Sequence, residues 1–178
     1  MSTDRQALVE STSALVQDVP DFPEPGVVFK DITPLLADGP ALKAVVEHLA
    51  EQAPGPIDLV VGMEARGFIL GAPVAVALGA GFIPVRKAGK LPRETLAGAY
   101  ELEYGSAVLE VHPDTIRPGS RVLIVDDVLA TGGTAAATRR LAHRLGAGVA
   151  GVGVVIDLSF LPWRAALAGV HVETLVSF

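Results

Sequence analysis

The sequence has 178 residues, half of them hydrophobic, which is enough to form the core of one domain of ordinary size. It contains no cysteine, so disulfides, cysteine-ligated metal sites and thiol nucleophiles are excluded, and this composition is typical of a cytoplasmic protein. The formal net charge of −6 argues against a general nucleic-acid-binding surface.

The first third of the chain predicts two helices separated by a proline-rich segment. Apolar residues at helical spacing predict an amphipathic first helix that includes Leu8, Leu15, Val16 and Val19. Residues 21–36 contain three prolines and a glycine, which predicts an extended segment that covers a site. A second amphipathic helix is predicted over residues 39–53, where the apolar positions again share one helical face.

The rest of the chain alternates between short apolar strands and helices. Strands are predicted at residues 57–62, 82–85, 121–127, 148–158 and 171–178. Helices are predicted between them at residues 65–79, 133–146 and 161–169. Alternating apolar and acidic residues around Gly105 predict an antiparallel hairpin over residues 100–111. This order predicts an α/β fold with a doubly wound, mostly parallel sheet covered by helices on both faces.

One stretch has the length of a membrane span. Residues 67–85 carry no charge over 19 positions, close to the ~20 residues that cross a bilayer. The stretch also contains four glycines and two prolines. We therefore interpret it as a buried helix, a glycine stop and a buried strand, and we expect no membrane partner.

Three segments follow predicted strands and are candidates for a ligand site. They are residues 64–67, residues 126–133 and the basic loop at residues 86–93, which holds four of the 14 Lys and Arg residues. Ligands of parallel α/β sheets bind beyond the carboxyl ends of the strands. We therefore expect the three segments to converge at one edge of the sheet. The alternative for the basic loop is a solvated surface.

The stretch "VLIVDDVLATGGT", residues 122–134, combines two chemistries. The turn at Thr131–Thr134 lies at the start of a predicted helix, whose first N–H groups and dipole favour a phosphate. The alternative for the turn taken alone is a capped helix start. Asp126 and Asp127 repel phosphate but accept hydrogen bonds from hydroxyl groups. A ribose 5-phosphate satisfies both requirements. Because side chains alternate along a strand, the two aspartates need not have equal roles, and either one can be only structural.

This stretch resembles, over its full length, the phosphoribosyl diphosphate motif of the type I phosphoribosyltransferases. The resemblance implies that Asp126 and Asp127 hold the ribose hydroxyls. It also implies that Ala130, Thr131, Gly132, Gly133 and Thr134 hold the 5-phosphate.

The resemblance extends over nearly the whole chain. The segments "DFPEPGVVFKDITPLL", "GMEARGF", "PVRKAGKLPRET" and "LEYG" are similar, in the same order, to members of this family that use adenine. This implies a single domain over residues 1–178, with an N-terminal helix and a small hood at about residues 1–36. The core would be about residues 37–178, with a pyrophosphate loop at residues 64–67 and a mobile loop, containing the antiparallel hairpin, at residues 86–104.

The resemblance also implies roles for side chains. Adenine would lie against Val28, Phe29 and Lys30. The alternative for Phe29 is simple core packing. Relatives commonly have arginine at position 30, so whether Lys30 contacts the base stays open. The diphosphate would be stabilised by the cations Arg66, Arg86, Lys87 and Lys90. Arg86 or a neighbour would reach across a homodimer interface, and Arg93 would be solvated.

Glu103, next to Tyr104 in "LEYG", is the acid–base candidate, because adenine loses a proton as it attacks. The alternative is a solvent-facing glutamate in a hairpin, since Glu101 has the same parity. Tyr104 belongs to the same substrate-binding segment.

The implied reaction forms AMP and pyrophosphate from adenine and phosphoribosyl diphosphate, with Mg²⁺ held mainly through substrate phosphates and water. One alternative is a transferase for another base, such as xanthine or orotate. Another is a regulator that binds phosphoribosyl diphosphate without turnover, for which we expect an added DNA-binding segment and find no spare length. The four histidines are not spaced as metal ligands.

Overall fold

The computed structural model describes residues 3–101 and 106–178 of the chain. Its contacts divide the chain into two compact units, one formed by the residues up to His48 and the other by Leu49–Phe178.

The first unit is a helix, a β-hairpin and further helices. Its elements are α1 (Thr3–Ala14), β1 (Gln17–Pro20), β2 (Val28–Asp31), α2 (Thr33–Ala37) and most of α3 (Gly39–Glu51). Strands β1 and β2 pair antiparallel. The second predicted helix is confirmed as α3.

The first predicted helix is shorter than its apolar spacing indicated. It ends at Ala14, and Val19 lies in β1. Val19 precedes Pro20, and the ring of a proline pushes the residue before it out of the helical region toward extended backbone. The prediction for Leu15, Val16 and Val19 is therefore wrong, since all three follow the end of the helix.

The segment at residues 21–36 is more regular than predicted. Its first part is a loop closed by Asp21, whose Oδ1 accepts a hydrogen bond from the Gly26 N–H at 2.7 Å. This loop returns the chain so that Val28 pairs with Pro20. Pairing with β1 converts the second part into strand β2.

The second unit is built on a seven-stranded sheet. The strands are β3 (Leu59–Met63), β4 (Gly81–Lys87), β5 (Leu96–Glu101), β6 (Ser106–Val111), β7 (Arg121–Leu129), β8 (Gly148–Asp157) and β9 (His171–Ser177). Its helices are α4 (Arg66–Leu78), α5 (Gly133–Arg144) and α6 (Trp163–Ala166). The strand order is β5-β6-β4-β3-β7-β8-β9. Five strands from β4 to β9 are parallel, and β5 and β6 add an antiparallel pair beside β4. The predicted fold class and hairpin are confirmed.

Helices α4 and α5 cover opposite faces of this sheet. Val61 and Met63 of β3 belong to a buried cluster that includes Leu141 of α5. Gly62 lies between them and faces α4, where a side-chain carbon added to Gly62 would lie 2.6 Å from the carbonyl oxygen of Gly67. Because side chains alternate along a strand, the two helices pack on different faces.

The uncharged stretch at residues 67–85 consists of most of α4 and most of β4. Gly79 follows α4 with φ of 65°, which ends the helix as predicted. Among the helices that the structure describes, none combines the length and the apolar character needed to span a bilayer.

Candidate functional site

The glycine turn after β7 has the geometry of an anion cradle. Gly132 has φ of 78°, a left-handed conformation that favours glycine, and α5 begins at the next residue. The first intrahelical bond runs from the Ala136 N–H to the Gly132 carbonyl at 2.9 Å. The backbone N–H groups before Ala136 lie in the first turn of the helix, where such groups have no intrahelical partner. That of Gly133 has a long contact of 3.5 Å with the Thr131 hydroxyl oxygen.

Asp126 and this turn line the same pocket. The pocket includes all of residues 130–134. Its apolar wall is formed by Met63, Val128 and Val154, among others. The structure thus brings one of the two aspartates and the complete turn together, at the carboxyl end of β7.

The two aspartates lie in different environments. Asp127 is only 5% exposed, and its Oδ2 lies 2.5 Å from Nε of Arg66 at the start of α4. Asp126 has the opposite parity and faces the pocket. Its Oδ1 accepts a hydrogen bond from the Asp127 N–H at 2.9 Å.

Asp126 resists ionisation. Burial of its carboxyl group and the neighbouring Asp127 carboxylate raise the pKa of Asp126 well above its ordinary value of 3.8. The Asp127 N–H and the charge of Arg66 oppose this shift of the pKa without cancelling it. A perturbed carboxyl group in a pocket is typical of a functional position.

Gly67 brings the start of α4 against the end of β7. A side-chain carbon at this position would lie 2.8 Å from the carbonyl oxygen of Val125 and 2.9 Å from Oδ1 of Asp126. Only glycine permits this approach. The sequence marked residues 64–67 as a loop but did not single out Gly67, because only the fold shows what lies beside it.

Glu64 joins this loop to the basic loop. Its carboxylate accepts hydrogen bonds from the Lys87 N–H at 3.0 Å and from Nη2 of Arg86 at 3.3 Å. Burial alone would raise the pKa of Glu64, but these hydrogen bonds and the charges of Arg86 and Lys90 lower the pKa below its ordinary value. Sequence reasoning missed Glu64, although an acid directly after a buried strand was a usable signal.

Two of the four basic residues in the loop at 86–93 make side-chain contacts with other described residues of the protein. Arg86 also donates from Nη1 to the carbonyl of Lys90 at 2.9 Å. Lys87 and Lys90 are exposed. Arg93, expected to be solvated, is 2.6 Å from Oδ2 of Asp114 in an exposed ion pair.

The residues predicted to contact the base lie in β2 of the first unit. Val28 is 48% exposed, and the ring of Phe29 packs edge-on against Phe22 at a centroid distance of 5.1 Å. Nζ of Lys30 lies 2.6 Å from Oδ1 of Asp18 across the hairpin. This ion pair holds the Lys30 ammonium within the unit.

Glu103 and Tyr104 lie outside the described residues, so their predicted roles stay predictions. The strands on either side are described, and Glu101 pairs with Ser106 at the end of the β5–β6 hairpin.

The chain is similar to one family over most of its length. The family described as "Phosphoribosyl transferase domain" matches residues 35–159. An adenine phosphoribosyltransferase from a Nocardioides species is 62% identical over 169 residues, which is 92% of this chain and 91% of that protein. A solved adenine phosphoribosyltransferase from Rhodothermus marinus is 50% identical, with a TM-score of 0.93 over 97% of this chain and 99% of its own.

Two further solved relatives contain ligands. The adenine phosphoribosyltransferase of Saccharomyces cerevisiae, 40% identical with a TM-score of 0.89, is complexed with adenine and an iminoaltritol bisphosphate and covers 96% of this chain and 99% of its own. That of Trypanosoma brucei, 26% identical with a TM-score of 0.89, is complexed with AMP, pyrophosphate and ribose-5-phosphate. It covers 99% of this chain and 82% of its own.

Proposed function

The chain belongs to the phosphoribosyltransferase family, and from this membership we propose that it forms AMP and pyrophosphate from adenine and phosphoribosyl diphosphate. The observation that carries the proposal is the pocket shared by Asp126 and residues 130–134. A carboxylate that accepts from hydroxyls, beside a helix start that attracts anions, is complementary to a ribose 5-phosphate. The names of the relatives favour adenine over xanthine or orotate as the base.

In the proposed complex, the 5-phosphate accepts hydrogen bonds from the backbone of residues 130–134, with the hydroxyls of Thr131 and Thr134 as further donors. Asp126 accepts from the ribose diol. Asp127 lies on the other face of β7. Its ion pair with Arg66 joins the ribose subsite to the diphosphate subsite.

The diphosphate leaves from C1′ as the ring nitrogen N9 of adenine attacks. Negative charge then accumulates on the departing group, and Arg66, Arg86, Lys87 and Lys90 stabilise it by electrostatic positioning. Among residues 3–101 and 106–178, no three acidic, histidine or cysteine side chains are grouped to hold a metal ion. Mg²⁺ bound through substrate oxygens and water needs no such group, and in that form it would neutralise phosphate charge.

The base would lie against Val28 and Phe29, with Glu103 taking its proton and Tyr104 beside it. The test is single-turnover AMP formation by Glu103→Gln, with Glu101→Gln as the matched control. A positioned acid–base group contributes roughly 10²–10⁴-fold in rate, so Glu103→Gln should lose about that much while phosphoribosyl diphosphate still binds. Equal, small effects from both changes would contradict an acid–base role for Glu103 and favour a solvent-facing glutamate in a hairpin.

The overall activity is tested by pyrophosphate release with adenine, xanthine and orotate in turn. We expect release with adenine. Release with xanthine or orotate alone would assign another base, and tight binding of phosphoribosyl diphosphate without release for any base would favour the regulator. We place the reaction in the cytoplasm, which the absence of cysteine suits.

We also propose that the protein is a homodimer that uses the outer face of α4. Val76 on this face is 81% exposed, and Ile69, seven residues earlier and thus on the same side, is 47% exposed. No charged residue lies between position 67 and position 85. An uncharged helix face with exposed large side chains is typical of a contact between protein subunits.

A further inference from the structure

We propose that Trp163 and Asp157 are positioning residues for the 5-phosphate turn, acting through the short helix α6. The inference rests on the proposed function, because it assigns these residues to the ribose 5-phosphate part of that site. Neither residue reaches the phosphate itself in this assignment. They hold the surface on which the Gly132 turn rests.

The turn packs directly on the beginning of α6. A side-chain carbon added to Gly132 would lie 3.3 Å from Cβ of Trp163, 3.3 Å from the Trp163 carbonyl oxygen and 3.2 Å from Cβ of Ala166. The left-handed turn at Gly132 therefore packs against α6. A shift of α6 by a fraction of an ångström has to move the turn or open a gap beneath it.

One buried hydrogen bond fixes α6 to the sheet. The indole Nε1–H of Trp163 donates to Oδ2 of Asp157 at 3.2 Å. Asp157 is 1% exposed and Trp163 is 8% exposed, so water does not readily replace either partner. A helix of four residues has little stability of its own, and this side-chain contact supplies an anchor that helix propensity does not.

Asp157 lies beside the end of β7, the strand that leads into the turn. It is the last residue of β8 and pairs with Leu129, the last residue of β7. The Leu158 N–H donates to the Leu129 carbonyl at 3.0 Å. In this hydrogen-bonded pair, Asp157 therefore lies beside the strand that leads into the turn, and Trp163 packs against Gly132.

The consequence is an effect on phosphate affinity rather than on the chemical step. The 5-phosphate does not change during the reaction, so the turn binds the substrate and the transition state alike. Loss of such uniform binding raises KM and leaves kcat unchanged. A residue that only supports folding would lower the amount of active protein without separating these two constants.

The experiment compares Trp163→Phe, which keeps an aromatic ring but removes the N–H, with the wild-type chain. We expect the Kd for ribose 5-phosphate and the KM for phosphoribosyl diphosphate to rise about 3–10-fold, while kcat and the KM for adenine stay within about twofold. Asp157→Asn, which retains an acceptor oxygen, should stay near wild type. Phe160→Leu changes an exposed ring in the same segment and should have no effect.

Two results with the Trp163→Phe variant would overturn the inference. One is an unchanged Kd for ribose 5-phosphate in folded Trp163→Phe protein, and the other is an equal loss of affinity for adenine. If Trp163→Phe does not fold, the wild-type chain itself gives the answer, because Trp163 is its single tryptophan. Its fluorescence should change on titration with ribose 5-phosphate, and an unchanged spectrum at saturation would overturn the inference. A wild-type chain that binds ribose 5-phosphate but does not turn over adenine would instead overturn the proposed function alone.

Discussion

Asp126 and Asp127 show how two identical neighbours acquire different properties. Asp127 is compensated by the Arg66 guanidinium, whereas Asp126 is half-buried beside a like charge and faces the pocket. A carboxylate held in this way costs stability in the free protein. Such a cost is common where a group is kept for binding rather than for folding.

The first prediction concerns Asp126→Asn. Because the folded-state pKa of Asp126 is raised, the stability associated with its protonated form is complete below about pH 3.8 and is lost as the pH rises through the folded-state pKa. Asparagine is neutral at every pH, so the variant should be more stable than wild type at pH 8 by about 1 kcal/mol. The gain should shrink as the pH is lowered toward 5.

Thermal melts of both proteins between pH 5 and pH 8 measure this difference. Asp127→Asn is the control with the opposite sign, since it leaves Arg66 without the carboxylate that pairs with it. A melting temperature of Asp126→Asn that stays below wild type at pH 8 would contradict the prediction.

The second prediction concerns Gly67→Ala. The added methyl would lie 2.8 Å from a backbone oxygen of β7, so the strand or α4 has to move. We expect a loss of about 1–3 kcal/mol in the free energy of unfolding, together with weaker binding of phosphoribosyl diphosphate. Gly148→Ala is the matched control, because nothing lies within 4 Å of the position its methyl would take. Denaturant titrations that show equal stability for the two variants would refute the close-approach argument.

At the level of elements, α5 links the Gly132 turn to the edge of the sheet. Arg144 donates from Nη1 to the Ala97 carbonyl of β5 at 2.6 Å, and Arg140 donates to the Ala99 carbonyl at 3.5 Å. Four residues along a helix rise about 6 Å and two residues along a strand about 6.6 Å, so the two spacings match. Gly98 lets the strand approach Leu141, whose Cδ2 would lie 3.0 Å from an added side-chain carbon. The same helix therefore meets the proposed phosphate at one end and the hairpin strand at the other.

The third prediction is that Arg144→Ala loosens β5 without unfolding the sheet. Loss of one charged hydrogen-bond donor should cost about 1 kcal/mol, which lowers the melting temperature by roughly 2–4 °C in a chain of this size. Hydrogen exchange should accelerate at the amides of residues 96–101 and stay unchanged in β7 and β8. Arg117→Ala, an exposed arginine elsewhere, is the control. Uniform acceleration across all strands would indicate global destabilisation instead.

At the level of the whole molecule, the outer face of α4 is the feature that the monomer does not explain. Its exposed valine and isoleucine lie on a helix whose inner face is already packed against the sheet. Burying the outer face against a second copy would remove apolar surface from water, which stabilises association.

The fourth prediction is that Val76→Glu prevents formation of the proposed homodimer. A carboxylate placed in an apolar contact has to be desolvated without a partner, which opposes association. Light scattering coupled to gel filtration should give the mass of a dimer for the wild-type chain and of a monomer for the variant. Phe160→Glu, a change at an exposed ring outside α4, should remain dimeric. A wild-type chain that is monomeric at all concentrations would contradict the proposed homodimer.

Much of the fold was predictable because its signals are local. Near-continuous apolar strands alternating with helices indicated a parallel sheet, and Gly79 marked the end of α4 as expected. The turn before α5 was also recognisable, since its threonines and glycines are contiguous. The first helix was misjudged because Val19 has helical spacing but precedes Pro20, whose ring restricts its neighbour.

The sequence by itself determined the kind of fold, the order of its elements and the residue types that we assign to a ribose 5-phosphate site. Only the tertiary structure decided that Asp126 faces the pocket while Asp127 pairs with Arg66, that Gly67 touches β7, and that the turn rests on Trp163. Local conformation and chemical type depend on neighbours in the chain. The environment of a side chain depends instead on residues far away in sequence, which packing alone brings within contact distance.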